Sequence, residues 1–89
     1  PKEFAERVKK EISEGMKTFV RDNVPKDIKV QRIVADGKPW EAILRISNKI
    51  DADLIVMASH KRKKIEEFLI GTNAMRVVQQ SKRSVLIVR

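Results

Sequence analysis

The chain has no cysteine and no tyrosine, and among its 89 residues it has only three glycines, three prolines and four aromatic side chains. Without cysteine it forms no disulfide and offers no thiolate to a metal ion or a covalent reaction. No apolar run approaches the roughly 20 residues that a membrane-spanning helix needs, and the first residues lack the pattern of a signal peptide. We therefore expect a cytoplasmic protein without a membrane partner.

Positive charge is in excess, with 20 Lys and Arg against 12 Asp and Glu and a formal net charge of +8. Such a charge favours anionic partners in general. The densest basic run, residues 61–64, is open to three interpretations: solvated charge, contact with a nucleotide phosphate, or a nucleic-acid patch. Nucleic acid is the least favoured, because single-strand binders interleave aromatic with basic residues, and the aromatics here fall on core-facing positions.

Apolar residues spaced three to four apart predict an amphipathic helix of about five turns from Phe4 to Val20, ended by Pro25. Alternation of apolar and polar residues over 28–34 predicts a partly exposed edge strand. A second helix is predicted to begin with Pro39 at its first position. Its core-facing stripe comprises Trp40, Ile43, Leu44, Ile46 and Ile50.

The second half of the chain reads as strand, helix and strand. Residues 53–58 are an unbroken apolar run after Asp53, which predicts a parallel strand covered on both faces. One helical turn is expected over 65–69, a helix opening at Thr72, and a buried strand over 84–88. Helices and strands in this order, with crossovers of a dozen or more residues, predict an α/β fold with an open parallel sheet sandwiched by helices.

Small and polar residues gather where the strand at 53–58 ends and where the next helix begins. Ala58 and Ser59 leave the strand, and Gly71, Thr72 and Asn73 open the helix. A helix N-terminus at the carboxyl edge of a parallel sheet is a suitable place for a phosphate, and Thr72 is predicted to cap the helix with its hydroxyl. A glycine and a threonine before a helix are also ordinary stop and start signals.

Several pieces in the right order resemble the universal stress proteins from about Val34 onward, closest to small single-domain bacterial members. They are a Gly-x-Pro turn at 37–39, an Asp-Leu-Ile-Val-Met strand at 53–57, a Leu-Ile-Gly-Thr segment at 69–72 and a final Val-Leu-Ile-Val-Arg. The resemblance implies the adenine-nucleotide alpha hydrolase-like fold, binding of ATP or a related adenine nucleotide, with Mg²⁺ as a companion ion, and a role in the stress response.

The family's nucleotide motif is Gly, two residues, Gly, nine residues, Gly, then Ser or Thr. Carried over to this chain, Ala58 takes the place of the first glycine, Lys61 that of the second, and Gly71 with Thr72 form the last pair. Lysine adds bulk and a charge where glycine would allow close backbone approach. The resemblance therefore implies a site formed by Gly37, Ala58, Ser59, Lys61, Arg62, Gly71, Thr72 and Asn73. Gly37 before Pro39 is equally well read as a plain turn.

Family members have a five-stranded sheet whose first strand lies at its centre. The first strand, helix and second strand of that sheet have no counterpart here, so we expect residues 1–89 to be the carboxyl-terminal part of a single domain. The last strand, Val85, Leu86, Ile87 and Val88, is expected to pair with its copy in a homodimer, as the resemblance implies and as an unpaired aliphatic edge requires.

Catalysis is not expected, beyond slow ATP turnover at most. His60 is the only histidine, and no serine elbow, cysteine or acidic partner accompanies it as a general base would need. The alternative to nucleotide binding is a dimeric interaction protein in which the Lys61 side chain occludes the site.

Overall fold

The computed structural model describes residues 1–59 and 71–88. It contains five elements: α1 (Lys2–Asn23), α2 (Pro39–Lys49), β1 (Leu54–Ala58), α3 (Thr72–Gln80) and β2 (Ser84–Val88). The chain divides into two compact units, residues 1–35 and residues 36–89. Among the described helices, none is long and apolar enough to cross a membrane.

The first unit consists of α1 and the segment after it, which has no regular secondary structure. The helix predicted over residues 4–20 is confirmed and is longer, running from Lys2 to Asn23. It ends where Val24 adopts an extended backbone, with its N–H still bonded to the carbonyl of Val20 at 2.9 Å. The next residue is Pro25, which cannot continue the hydrogen-bond ladder. No residue of α1 is buried, and Phe4 and Phe19 are 65% and 64% exposed.

The edge strand predicted over residues 28–34 is wrong, because the chain there is neither strand nor helix. Alternation of apolar and polar residues favours a strand, but a strand also needs a neighbouring strand to complete its hydrogen-bond ladder. Among the described residues, β1 and β2 pair only with each other. The apolar side chains of the segment therefore stay open to solvent, with Ile28 54% and Val30 42% exposed.

The second unit opens with a tight turn and a proline-initiated helix. Gly37 has φ +95°, a region that favours glycine, and Lys38 is extended before α2 begins at Pro39, as predicted. At the other end the N–H groups of Asp51 and Ala52 bond to the carbonyls of Asn48 and Ser47. This double closure is a Schellman motif, which places Asp51 in the left-handed region at φ 56°.

The two strands pair in parallel, in register from Leu54 opposite Ser84 to Ala58 opposite Val88. Helix α3 packs on β2, and α2 packs on α3. Val77 in α3 is fully buried, and its buried neighbours in this small core are Ala42, Ile55 and Ala74. The predicted α/β fold, a small parallel sheet flanked by helices, is confirmed.

The prediction that the strand at 53–58 is covered on both faces is wrong within this unit, and so is the prediction that the strand at 84–88 is buried. Burial alternates along β1, so Ile55 is buried while Leu54 and Val56 are 50% and 58% exposed. The same alternation leaves Leu86 and Val88 of β2 about half exposed, at 52% and 49%. Successive side chains of a strand point to opposite faces, and in the described part of this unit helices cover only the face that carries Ile55.

Candidate functional site

The carboxyl ends of the two strands and the start of α3 are joined at Ser59. Its backbone N–H donates a hydrogen bond to the carbonyl of Val88 at 3.0 Å. Its hydroxyl oxygen accepts the backbone N–H of Gly71, also at 3.0 Å. The predicted site residues Ala58, Ser59, Gly71 and Thr72 are therefore brought to one edge of the sheet, although Ser59 and Gly71 are 12 residues apart in sequence.

Gly71, and not Thr72, is the residue that precedes the first turn of α3. The carbonyl of Gly71 accepts the N–H of Met75 at 2.9 Å, the first hydrogen bond of the helix. Thr72 is already helical, and no side chain makes a capping hydrogen bond. The prediction that the Thr72 hydroxyl caps the helix is wrong, because a capping side chain must belong to the non-helical residue before the first turn.

Three backbone N–H groups follow Gly71 in the first turn of α3, those of Thr72, Asn73 and Ala74. Such groups have no carbonyl partner inside their own helix, and together they form the positive end of its dipole. The first turn contains no acidic residue, and Thr72 and Asn73 are exposed. This arrangement suits an anion, with Thr72 as the first available amide because the Gly71 N–H is already held by Ser59.

Gly37 lies at the start of α2, whose last turn leads directly into β1. Trp40, the second residue of α2, contacts Arg76 of α3, so the start of α2 lies beside α3. A Cβ atom added at Gly37 would meet nothing within 4 Å, and φ is +95°. The glycine is therefore explained by the turn, while a contact between Gly37 and a ligand stays a prediction.

The other predicted site residues have different outcomes. His60, Lys61 and Arg62 lie outside the described residues. In β2 the Val85 and Ile87 side chains are half-buried, whereas Leu86 and Val88 are exposed, so only alternate residues of this strand face solvent. Pairing of β2 with a second copy stays a prediction. Within residues 1–59 and 71–88, no group of three or more His, Cys, Asp and Glu is placed to hold a metal ion.

Two contacts of the second unit involve residues that sequence reasoning did not select. The guanidinium of Arg76 lies 5.6 Å from the ring centroid of Trp40, and this contact joins the first turn of α2 to the second turn of α3. At the opposite edge of the sheet, Arg83 bonds to the turn after α2. Neither pair has a recognisable sequence signal, because both join residues more than 30 positions apart.

The comparisons with known proteins agree with this geometry. The model of the universal stress protein family matches residues 2–89, nearly the whole chain. The chain belongs to the universal stress protein family. The resemblance inferred from the motifs at 37–39, 53–57 and 69–72 is thereby confirmed, and it extends to the first helix as well.

Curated relatives within the family come from the archaeon Methanocaldococcus jannaschii. Universal stress protein MJ0577 is 30% identical over an alignment of 92 positions, which covers 98% of this chain and 56% of that protein. Universal stress protein MJ0531 is 29% identical over 86 residues, 97% of this chain and 51% of that protein. The chain thus spans about half the length of these curated relatives.

The solved structure of MJ0577 superposes on this chain with a TM-score of 0.80 at 28% sequence identity. The match covers 98% of this chain and 61% of the MJ0577 chain. The α/β arrangement of this chain is therefore that of a universal stress protein.

Proposed function

We propose that this universal stress protein chain forms part of a binding site for ATP or a related adenine nucleotide in the stress response. The observation that carries the proposal is the hydrogen bond between the Gly71 N–H and the Ser59 hydroxyl at 3.0 Å. It holds the start of α3 beside the end of β1, the edge at which open α/β sheets bind ligands. Family membership supports the nucleotide as the ligand.

The phosphates would be bound by the first turn of α3. Its free backbone amides begin at Thr72, and the Thr72 hydroxyl is not used in capping, so it is available as a further donor. Backbone amides at a helix N-terminus bind phosphate through hydrogen bonds and the helix dipole. Lys61 and Arg62 would add positive charge, and the net charge of +8 favours an anionic ligand.

The proposed activity is binding, with at most slow ATP turnover. Hydrolysis needs a group that activates or orients the attacking water. Among the described site residues the polar side chains are those of Ser59, Thr72 and Asn73, and none of them is a strong base at neutral pH. Mg²⁺ would accompany the nucleotide on its phosphates. We further propose that the protein acts in the cytoplasm as a homodimer through β2.

The proposal is tested by calorimetric titration with ATP and Mg²⁺ at physiological ionic strength, on the polypeptide that contains this chain. We expect micromolar binding. Thr72→Pro deletes one amide donor without breaking α3, because proline is tolerated at the first helical position. The backbone of Gly71, at φ −58° and ψ 154°, is compatible with a following proline. We expect Thr72→Pro to weaken binding about tenfold, as one hydrogen bond to a charged group would.

Two further variants separate the contributions. Thr72→Val removes the hydroxyl but keeps the amide, and Thr18→Val makes the same change in α1, which belongs to the other compact unit. Thr18→Val should leave the affinity unchanged. Equal loss of affinity in both valine variants, or no heat and no thermal stabilisation with the parent protein, would contradict nucleotide binding at α3.

The departure of Lys61 from the family motif supports one competing function, an interaction protein whose site is occluded. Lys61→Gly distinguishes the two. If the parent does not bind ATP and Lys61→Gly does, occlusion is correct and dimerisation carries the function. Binding of nucleic acid instead would show an affinity that falls steeply with salt.

A further inference from the structure

We propose that Ser59 is a positioning residue of the nucleotide site: its hydroxyl holds the Gly71 N–H and so fixes where the first amides of α3 lie relative to the end of β1. This inference rests on the proposed function. Ser59 stands in one of the variable places of the family motif as carried over to this chain, between Ala58 and Lys61.

The role follows from the number of elements that Ser59 joins. It comes directly after β1, its N–H donates to Val88 at the end of β2, and its hydroxyl accepts from Gly71 at the start of α3. The bond to Val88 completes the last pair of the ladder, Ala58 with Val88, because in a parallel pair the residue after one partner donates to the carbonyl of the other. The Ser59–Gly71 bond is partly buried, so solvent competes with it less than at an exposed site.

The consequence for a ligand concerns which amides are free. The Gly71 N–H is occupied by Ser59, and the Gly71 carbonyl is occupied by Met75. The Gly71 carbonyl and the Thr72 N–H belong to the same peptide group. Because both backbone groups of Gly71 are held, the orientation of this peptide group is defined, and the helical backbone then defines the orientation of the Asn73 N–H. Donors that are already oriented bind an anion without a further ordering cost.

The test compares Ser59→Ala with Ser59→Thr, which keeps a hydroxyl. Ser81→Ala is the matched control, because the Ser81 hydroxyl also accepts a backbone N–H, that of Arg83 at 2.8 Å, but at the other end of α3. Two readouts are taken: hydrogen exchange of the Gly71 amide by NMR without ligand, and ATP affinity by calorimetry.

We expect Ser59→Ala to increase exchange of the Gly71 amide about tenfold and to weaken ATP binding about threefold to tenfold, which is the net value of one hydrogen bond. Ser59→Thr should restore both. Ser81→Ala should change neither, although it lowers thermal stability to a similar extent. Rescue by threonine together with an unaffected Ser81→Ala affinity is a result that a general loss of stability would not produce.

Three results would overturn the inference. ATP affinity unchanged in Ser59→Ala would show that the hydroxyl does not position the donors. An equal loss of affinity in Ser59→Ala and Ser81→Ala would show an effect of stability alone. If the parent protein does not bind ATP, the proposed function fails and the positioning role fails with it, while exchange of the Gly71 amide still reports separately whether the hydrogen bond exists.

Discussion

Arg83 donates a hydrogen bond from Nη1 to Oδ1 of Asp51 at 2.6 Å, which joins the turn before β2 to the turn before β1. The same nitrogen donates to the carbonyl of Ala52 at 3.1 Å. Asp51 is the only described non-glycine residue with positive φ. Arg83 therefore holds in place the residue at which the chain reverses direction between α2 and β1.

Arg83→Ala should lower the free energy of unfolding by about 1 kcal/mol. The Asp51 side chain is 89% exposed and the Arg83 side chain 24% exposed, so the ion pair itself contributes little and the bond to the Ala52 carbonyl contributes more. Urea unfolding followed by the fluorescence of Trp40 measures the change, since the chain has one tryptophan and no tyrosine. The neighbouring Lys82→Ala is the control. Equal stability of the two variants would argue against the bridge.

Gly37→Ala should destabilise the second unit by about 1–2 kcal/mol. The cause is the backbone at φ +95°, since a Cβ there would meet nothing within 4 Å. Gly15→Ala should have the opposite effect on stability. A Cβ at Gly15 also meets nothing within 4 Å, but Gly15 lies inside α1, where alanine is more stable than glycine by about 0.5–1 kcal/mol. Trp40 fluorescence reports the first variant and circular dichroism at 222 nm the second. A neutral Gly37→Ala would show that the turn relaxes.

Val77→Ala should lower the free energy of unfolding by about 2 kcal/mol, since Val77 is fully buried and the substitution leaves a cavity in a small core. Val78→Ala, one residue along in α3, removes the same atoms from a side chain that is 47% exposed. It should change stability by less than about 0.5 kcal/mol. Thermal unfolding of the pair tests this; similar losses would mean that α3 packs through a different face.

Arg76→Ala should cost about 0.5–1 kcal/mol through loss of the contact with Trp40 at 5.6 Å. The tryptophan emission spectrum should change at the same time, because the guanidinium lies over the ring. Arg45→Ala, on α2, tests whether any nearby charge has this effect. An unchanged emission spectrum in Arg76→Ala would contradict the contact.

Local signals were sufficient for the five observed helices and strands. Pro39 begins α2, Pro25 follows the end of α1, and the strand and helix boundaries at 54–58, 72–80 and 84–88 lie where apolar pattern and turn residues put them. These signals act over four or five residues, so they can be recognised in the amino-acid sequence. The family, too, was recognisable from short motifs at correct spacing.

Predictions that depended on a distant partner were the ones that changed. The segment 28–34 has the alternation of a strand but no ladder, and the N-cap position before α3 is held by Gly71, so Thr72 does not cap the helix. Both errors have the same origin. A sequence pattern indicates which structure a residue favours, but its backbone conformation and its hydrogen-bond partner determine which structure it forms.

The α/β class, the helix starts and stops and the family could be predicted from the sequence alone, because each depends on local periodicity, turn chemistry and motif spacing. The edge of the sheet at which we propose that a phosphate binds was predicted in the same way. Three features became known only from the folded chain: the hydrogen bond between Ser59 and Gly71, the hydrogen bond between Arg83 and Asp51, and the covering of one face of β1 and β2 by the helices of their unit. Hydrogen bonds and burial between residues 12 to 35 positions apart are set by how the elements pack, and no local pattern encodes that packing.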